Sequence, residues 1–206
     1  MASIKPRSTA ADRAIKVFHK AGGTLRAATA LRKHIHPRTL HALLQRGLIV
    51  RVSRGIYQLA NTALSSNPDL VVVAQKTPSA VVCLISALAF HGLTTQIPHK
   101  IDIALPPGAR TPKLRHPPVQ VYRFGGTSLT KGVQRHTIDG TAVRIFSPAK
   151  SVADCFKFRN RIGIDVAVEA LRNHLKTRGS NVDELLRFAR VNRVHKVMMP
   201  YLEAIL

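Results

Sequence analysis

The chain has 206 residues, 45% of them hydrophobic, enough to bury a core in one large domain or two small ones. Its 32 Lys and Arg against 10 Asp and Glu leave a formal charge of +22, far beyond what solubility needs, so a polyanion is the expected partner. No apolar run reaches the roughly 18 residues of a membrane span. The opening MASIKPRSTAADR has no hydrophobic signal core, so the expectation is a cytoplasmic protein without a membrane partner.

The charge is uneven along the chain. Residues 1–62 carry 12 basic and 1 acidic side chains, residues 63–146 carry 9 and 3, and residues 147–206 carry 11 and 6. Half of the excess therefore lies in the first 62 residues, which reads as a DNA-binding domain followed by a second domain over 63–206.

In chain order, Ser8 or Thr9 can cap a first helix whose apolar stripe is Ala14, Ile15, Val17, Phe18 and Ala21 and which Gly22-Gly23 ends. Leu25, Ala28 and Leu31 sit at helical spacing in a second, shorter segment over 25–33. After HIH, Pro37 suits the first turn of a third helix, which Gly47 ends. At about 100° per residue, Leu40, Leu43 and Leu44 gather on one arc of this helix. Arg38, His41, Ala42 and Gln45 occupy the opposite arc, flanked by Thr39 and Arg46. LIVRV and IYQL, joined through Ser53-Arg54-Gly55, then read as a hairpin whose glycine can take positive φ. Three short helices and such a ribbon make a winged helix-turn-helix.

From Asn61 to Asp69 the composition turns polar, as a linker would. SAVVCLISALAFHGL, residues 79–93, is apolar almost all round and predicts a buried helix ended by Gly92. KIDIALP, VQVYRF, VQRHTI and TAVRIF are strand candidates, the last two joined by Asp139-Gly140, a strong two-residue hairpin signal. They suggest a mostly antiparallel sheet. The proline-rich PPGARTPKLRHPP between the first two predicts a long basic loop. Ser147-Pro148 opens a helix with Val152, Cys155 and Phe156 inward, and helical patterns follow over 164–176, 181–189 and 193–206. The fold class expected is α+β.

A recognition helix places the side chains near its start against base edges in the major groove. Arg38 is the expected direct reader, because its fork matches the O6 and N7 acceptors of guanine. Ala42 lets the helix approach and offers a methyl-sized contact to thymine, while Gln45 can pair with adenine. Thr39, His41 and Arg46 read as phosphate or edge contacts. Arg51, Ser53 and Arg54 lie at or near the ribbon tip, where the two arginines can meet the backbone or enter the minor groove.

Signals for catalysis are poorer. No P-loop, His-Glu-x-x-His, Gly-x-Ser-x-Gly or paired Cys-x-x-Cys is present. His34, His36 and His41 have no nearby Cys to complete a metal site, and Cys83 and Cys155, far apart in apolar surroundings, read as buried free thiols. His91 precedes a glycine at a helix end, where an imidazole can cap carbonyls. Asp102 and Asp154 could be nuclease carboxylates, but IDIAL is not followed by Glu-x-Lys. The reading is of a protein with no catalytic residue, metal or cofactor. A metal-dependent nuclease and a protein-binding winged helix stay open as alternatives.

Four stretches together carry a family resemblance: GGTLRAATALRKHIHPRTLHALLQRGLIVRVSRGIYQL, VVCLISALAFHGLTTQIPHKIDIALPPG, RIFSPAKSVADCFKFRNRIGIDVAVEALR and KVMMPYLEAIL. Over residues 10–205 the chain resembles the AbiEi family of antitoxins and transcriptional regulators in bacterial type IV toxin-antitoxin systems. The resemblance implies a repressor that binds inverted repeats in its own promoter, as a monomer or dimer on double-stranded DNA. It also implies a C-terminal domain that counters a nucleotidyltransferase-like toxin without requiring a stable complex. The chain departs from the usual pattern in entering its third helix through His36-Pro37, without a small polar cap. Residues 63–206 still carry +11, which points to Arg110, Lys113 and Arg115 as a possible second DNA surface.

Overall fold

In the computed structural model of the protein, residues 9–61 and 67–206 are described; Ser8 and the middle of the expected linker lie outside them. The fold is α+β, in two compact units. One comprises the residues up to Lys76 together with Thr137–Ala142, and the other Thr77–His136 together with Val143–Leu206. The polarity-based boundary at residue 62 thus precedes a segment, 67–76, that belongs to the first unit.

In the first unit the order is α1 (Ala10–Lys20), β1 (Thr24–Arg26), α2 (Ala27–Arg32), α3 (Pro37–Gln45), β2 (Ile49–Ser53), β3 (Ile56–Leu59) and α4 (Pro68–Lys76). Thr9 caps α1 in a capping box: its hydroxyl accepts from the Asp12 N–H at 3.1 Å, and its own N–H donates to the Asp12 carboxylate at 2.9 Å. The Thr9 hydroxyl also donates to that carboxylate at 2.7 Å, and this bond first, then the one from the Thr9 N–H, holds the exposed Asp12 carboxyl below the usual carboxylate range. The sheet order is β1-β3-β2, antiparallel throughout, and Gly55 takes φ +73° in the β2–β3 turn. Phe18, Leu25, Ala30, Ile35, Leu40, Leu43 and Ile49 form one core under this sheet.

Two local expectations do not hold. The second helix starts at Ala27, not at residue 25, because Thr24 and Leu25 pair with Gln58 and Tyr57 of β3. That ladder buries Leu25, while Leu31, expected on the inner stripe, is 48% exposed. Asn61–Asp69 reads as a linker, yet Pro68 and Asp69 open α4, where Leu70 to Val73 are all buried. Pro at the first helical position and an acid in the first turn are start signals that the polar composition around them masked.

The remaining elements are β4 (Val81–Val82), α5 (Leu84–Phe90), β5 (Ile101–Leu105), β6 (Val119–Arg123), α6 (Thr127–Thr130), β7 (Val133–Ile138), β8 (Thr141–Phe146), α7 (Pro148–Lys157), α8 (Arg159–Ile162), α9 (Ile164–Lys176), α10 (Val182–Val191) and α11 (His195–Glu203), all in the second unit except the facing ends of β7 and β8 within Thr137–Ala142. The sheet order is β6-β5-β4-β8-β7. The sheet is mixed rather than mostly antiparallel, because β5 pairs parallel with β6 and β4 parallel with β8. The loop from 106 to 118 is long enough to carry the chain back to the other end of the sheet, which makes a parallel neighbour possible. All five residues of β5 are buried, as a strand covered on both faces requires.

The buried apolar run 79–93 also divides. Val81 and Val82 form a strand, and the helix starts only at Leu84, whose φ of +46° marks the break. The β-branched pair is claimed by its neighbours on the sheet. Helix α7 is the hub of this unit: every residue from Ala149 to Phe156 is buried, and it packs against α5, α9, α10 and α11. Ser147 caps it by accepting from the Lys150 N–H, and Cys83 and Cys155 are buried free thiols.

The Asp139-Gly140 turn takes positive φ at both residues, +45° and +67°, the conformation of a tight hairpin. It lies in the first unit, where Gly140 meets Gly22 backbone to backbone: a Cβ on Gly140 would sit 2.3 Å from the Ala21 carbonyl oxygen, and one on Gly22 would sit 2.3 Å from the Gly140 nitrogen. Gly47 has φ +65° with open space around it. Gly47→Ala should therefore cost only the left-handed strain, about 1 kcal/mol, whereas Gly140→Ala should cost about 3 kcal/mol or more because backbone must also move. Urea unfolding of the two variants tests this, and equal losses would show that the close approach contributes nothing.

Candidate nucleic-acid interface

The rotation of α3 about its axis is set by Leu40 and Leu43, which are 5% and 0% exposed. Leu44 is half-buried beside them. With those side chains inward, Arg38, His41, Ala42, Gln45 and Arg46 are all exposed and Thr39 is half-buried. The helix begins at an unexpected cap: the His36 imidazole accepts from the Arg38 N–H at 3.2 Å through Nδ1, doing the work of the small polar residue that the sequence lacks there. Pro37 follows at the position where a missing N–H costs nothing.

The side chains around α3 are largely basic. Thr39 faces a cleft of about 420 Å³ that Arg13, Lys33, His34 and His36 also line. His41 lies at the other edge of the helix, beside a cleft shared with Leu31, Leu44 and Tyr57. Arg46 is close enough to Asp12 to stabilise its carboxylate, so its charge is partly offset within the unit. Along the ribbon Arg51 and Arg54 are exposed and Ser53 is half-buried; a register shift between Arg51 and Ser53 marks a bulge ahead of the turn.

Two cations that sequence reasoning did not assign join the ribbon. Lys76, the last residue of α4, donates from Nζ to the Arg54 carbonyl. Burial first, and then the charges of Arg26, Arg54 and Arg51, hold the Lys76 ammonium below the usual lysine range. Arg26 arrives from β1, whose partner across the ladder is Ile56. Neither was legible, because each reaches the ribbon through a non-local pairing: Arg26 sits 28 residues before Arg54 and Lys76 sits 22 after it. A helix start at Pro68 was the available signal for Lys76.

The structure therefore brings Arg38, Thr39, His41, Ala42, Gln45, Arg46, Arg51, Ser53 and Arg54 into one unit. Arg110, Lys113 and Arg115 are exposed but belong to the second unit. Their loop is held at its start by Arg123, whose guanidinium donates to the carbonyls of Pro106 and Ala109 at 3.2 and 2.8 Å and to the Thr111 hydroxyl at 3.0 Å.

The residues weighed for catalysis are engaged elsewhere. Asp102 is 6% exposed, and its carboxylate accepts from the Ser86 and Ile85 N–H groups at the start of α5. Burial pushes it up to about 6, against the hydrogen bonds and the Arg161 charge. Asp154 is fully buried, paired with Lys150 on the same helix, and accepts from Asn192 at 2.7 Å. Burial raises the Asp154 carboxyl and lowers the Lys150 ammonium, each opposed by the partner's charge. His91 stands at the end of α5 with Nε2 at 2.8 Å from the Phe146 carbonyl. Among the described residues, no group of three or more His, Cys, Asp or Glu side chains is arranged to hold a metal ion, and no helix is long and apolar enough to cross a membrane.

The first unit is thus a small helical bundle with a basic hairpin. Residues 12–60, from the first turn of α1 to the end of β3, match the family described as transcriptional regulator, AbiEi antitoxin. Of the four stretches that carry the resemblance in the sequence, the match covers the first, and the family supports a regulatory antitoxin role. Among solved structures, the chain is similar to the crystal structure of the RV2827C protein from Mycobacterium tuberculosis. The TM-score is 0.54 at 15% sequence identity, over 94% of this chain and 80% of that one, a likeness of fold. Among curated proteins nothing matches.

The raised Asp102 carboxyl gives a pH signature that is independent of DNA. The folded chain keeps this proton up to about pH 6, whereas an unfolded chain releases it near 3.8, so the folded state holds more protons in that window and loses stability as pH rises through it. Asp102→Asn removes the titration and leaves an oxygen to accept from α5. The variant should gain on the native protein between about pH 4 and about pH 7, by up to about 3 kcal/mol. Parallel urea midpoints across that range would instead mean that Asp102 is well solvated.

Proposed function

We propose that the chain is a sequence-specific, DNA-binding transcriptional repressor that works through a winged helix-turn-helix over residues 1–62. The single observation that carries this reading is the division of α3. Its leucines are buried in the bundle, and its polar side stays exposed beside a cationic ribbon. Arg38 is the base reader of this proposal. Ala42 and Gln45 are secondary readers, Thr39, His41 and Arg46 hold the helix to the phosphates, and Arg51, Ser53 and Arg54 form the wing contact.

The match of residues 12–60 supports extending the reading to an autoregulating antitoxin of a type IV system, acting in the bacterial cytoplasm. In this proposal it binds inverted repeats in its own promoter, two protomers per site, and the domain over residues 63–206 counters a nucleotidyltransferase-like toxin. The loop with Arg110, Lys113 and Arg115 is the proposed second DNA surface. A nuclease reading is disfavoured by the two carboxylates it would need, since one binds a helix start and the other a buried ammonium.

Gel shifts with the chain's own promoter test the repressor. If about five phosphates are neutralised, log K should fall against log salt with a slope near −4.5. Arg38→Ala should cost about 1–3 kcal/mol on the operator and flatten the preference for it over unrelated duplex, while Arg54→Ala should weaken both duplexes alike. Absence of any salt-dependent shift at low ionic strength would discard the proposal in favour of a protein-binding module. Rescue of growth on co-expression with an adjacent nucleotidyltransferase tests the antitoxin half separately.

A further inference from the structure

We infer that Arg26 and Lys76 join Arg51 and Arg54 in one clamp for the phosphates of duplex DNA, so that the end of α4 is part of the nucleic-acid surface. The inference rests on the DNA-binding reading above and enlarges its footprint beyond the helix-turn-helix and ribbon.

Three observations lead there. Lys76 is tied to the ribbon itself, donating to the backbone carbonyl of Arg54 at the turn. Helix α4 lies on the sheet face that carries Thr24, Val52 and Gln58, which line a narrow cleft with Pro68, Val71 and Val72. Strand residues two apart share a face, so Arg26 projects from the same side as Thr24, toward the end of α4. The third is electrostatic. Lys76 feels the positive charges of Arg26, Arg54 and Arg51, and among the described residues none of the charges that shift it is a carboxylate.

The acids of this unit do not figure among the charges that act on Lys76. Asp12 is bonded to Thr9, Asp69 is in the first turn of α4, opposite Lys76, and Asp139 lines the cleft at Val71 and Val72. Four gathered cations with no carboxylate among them raise the energy of the free protein, and an anion relieves it. Their sources, two strands, a turn and a helix end, spread them along the ribbon rather than round a closed pocket. That geometry suits the successive phosphates of a polymer, and the exposed face of α3 in the same unit selects duplex DNA as the polymer.

The experiment is a salt titration of binding by the full chain to its promoter duplex and to an unrelated duplex of equal length. The variants are Arg26→Ala, Lys76→Ala, Lys76→Gln and Arg54→Ala, with thermal melts to confirm folding. Each of the first three should weaken binding to both duplexes by the same factor and reduce the magnitude of the salt slope by about one. Lys76→Gln keeps a donor for the Arg54 carbonyl but no charge, so it reports on the phosphate contact even if Lys76→Ala disturbs the turn. A wild-type slope in Lys76→Gln would mean that Lys76 only holds the turn, and would overturn the inference. So would wild-type slopes in Arg26→Ala and Lys76→Gln beside a reduced slope in Arg54→Ala, an outcome that leaves the repressor reading standing. Failure of the wild-type chain to bind either duplex removes both.

Discussion

The burial of Leu40 and Leu43 is the constraint on which the N-terminal unit turns. A nine-residue helix has no stable orientation of its own in water. Two buried leucines contribute roughly 1.5–3 kcal/mol each, and they contribute it at only one rotation of the helix. Once that rotation is fixed, the positions of Arg38, His41, Ala42, Gln45 and Arg46 are consequences. The same packing explains why Ala42 can be small without leaving a cavity: it points to solvent, so nothing in the core depends on its volume.

Charge is treated differently in the two units, and the contrast is informative. In the second unit the Lys150–Asp154 pair is fully buried, with the ammonium 4.3 Å from the centre of the Phe146 ring and the carboxylate bonded to Asn192, which in turn accepts from Ser128 at 2.8 Å. Desolvating two ions costs several kcal/mol, and mutual attraction with added hydrogen bonds roughly offsets that cost. One carboxylate oxygen, Oδ2, has no partner among the described residues, so the compensation is incomplete. Such a network adds little stability but permits few alternative packings of α7 against α10 and the α6 turn. In the first unit Arg51 and Arg54 are exposed and Arg26 and Lys76 half-buried, so water still screens the like charges held together there.

Much of this was legible from residue order. The third helix, the glycine turn of the ribbon, the Asp139-Gly140 hairpin and the Ser147 cap each have a local cause, a period or a turn residue acting within a few positions. What escaped was non-local. Val81–Val82 is too short to show a strand period and is fixed by pairing with Ile103, Ala104 and Ile145. Leu25 satisfies a helical spacing as well as it satisfies a ladder, and β3 decides between them. The His36 cap was hidden because imidazole is not among the usual capping groups; its ring nitrogen serves only since the backbone before Pro37 is extended.

The reach of the two similarities follows the same physics. The fold likeness to the mycobacterial structure extends over 94% of the chain at 15% identity, since a core tolerates wholesale exchange of apolar residues of similar volume. The family match is confined to residues 12–60, the stretch that holds α3 and the ribbon. Fold alone does not assign function. The functional reading therefore depends on a handful of exposed side chains around α3 and the ribbon. Those side chains are free to change without unfolding anything, which is why replacing them one at a time isolates binding from stability.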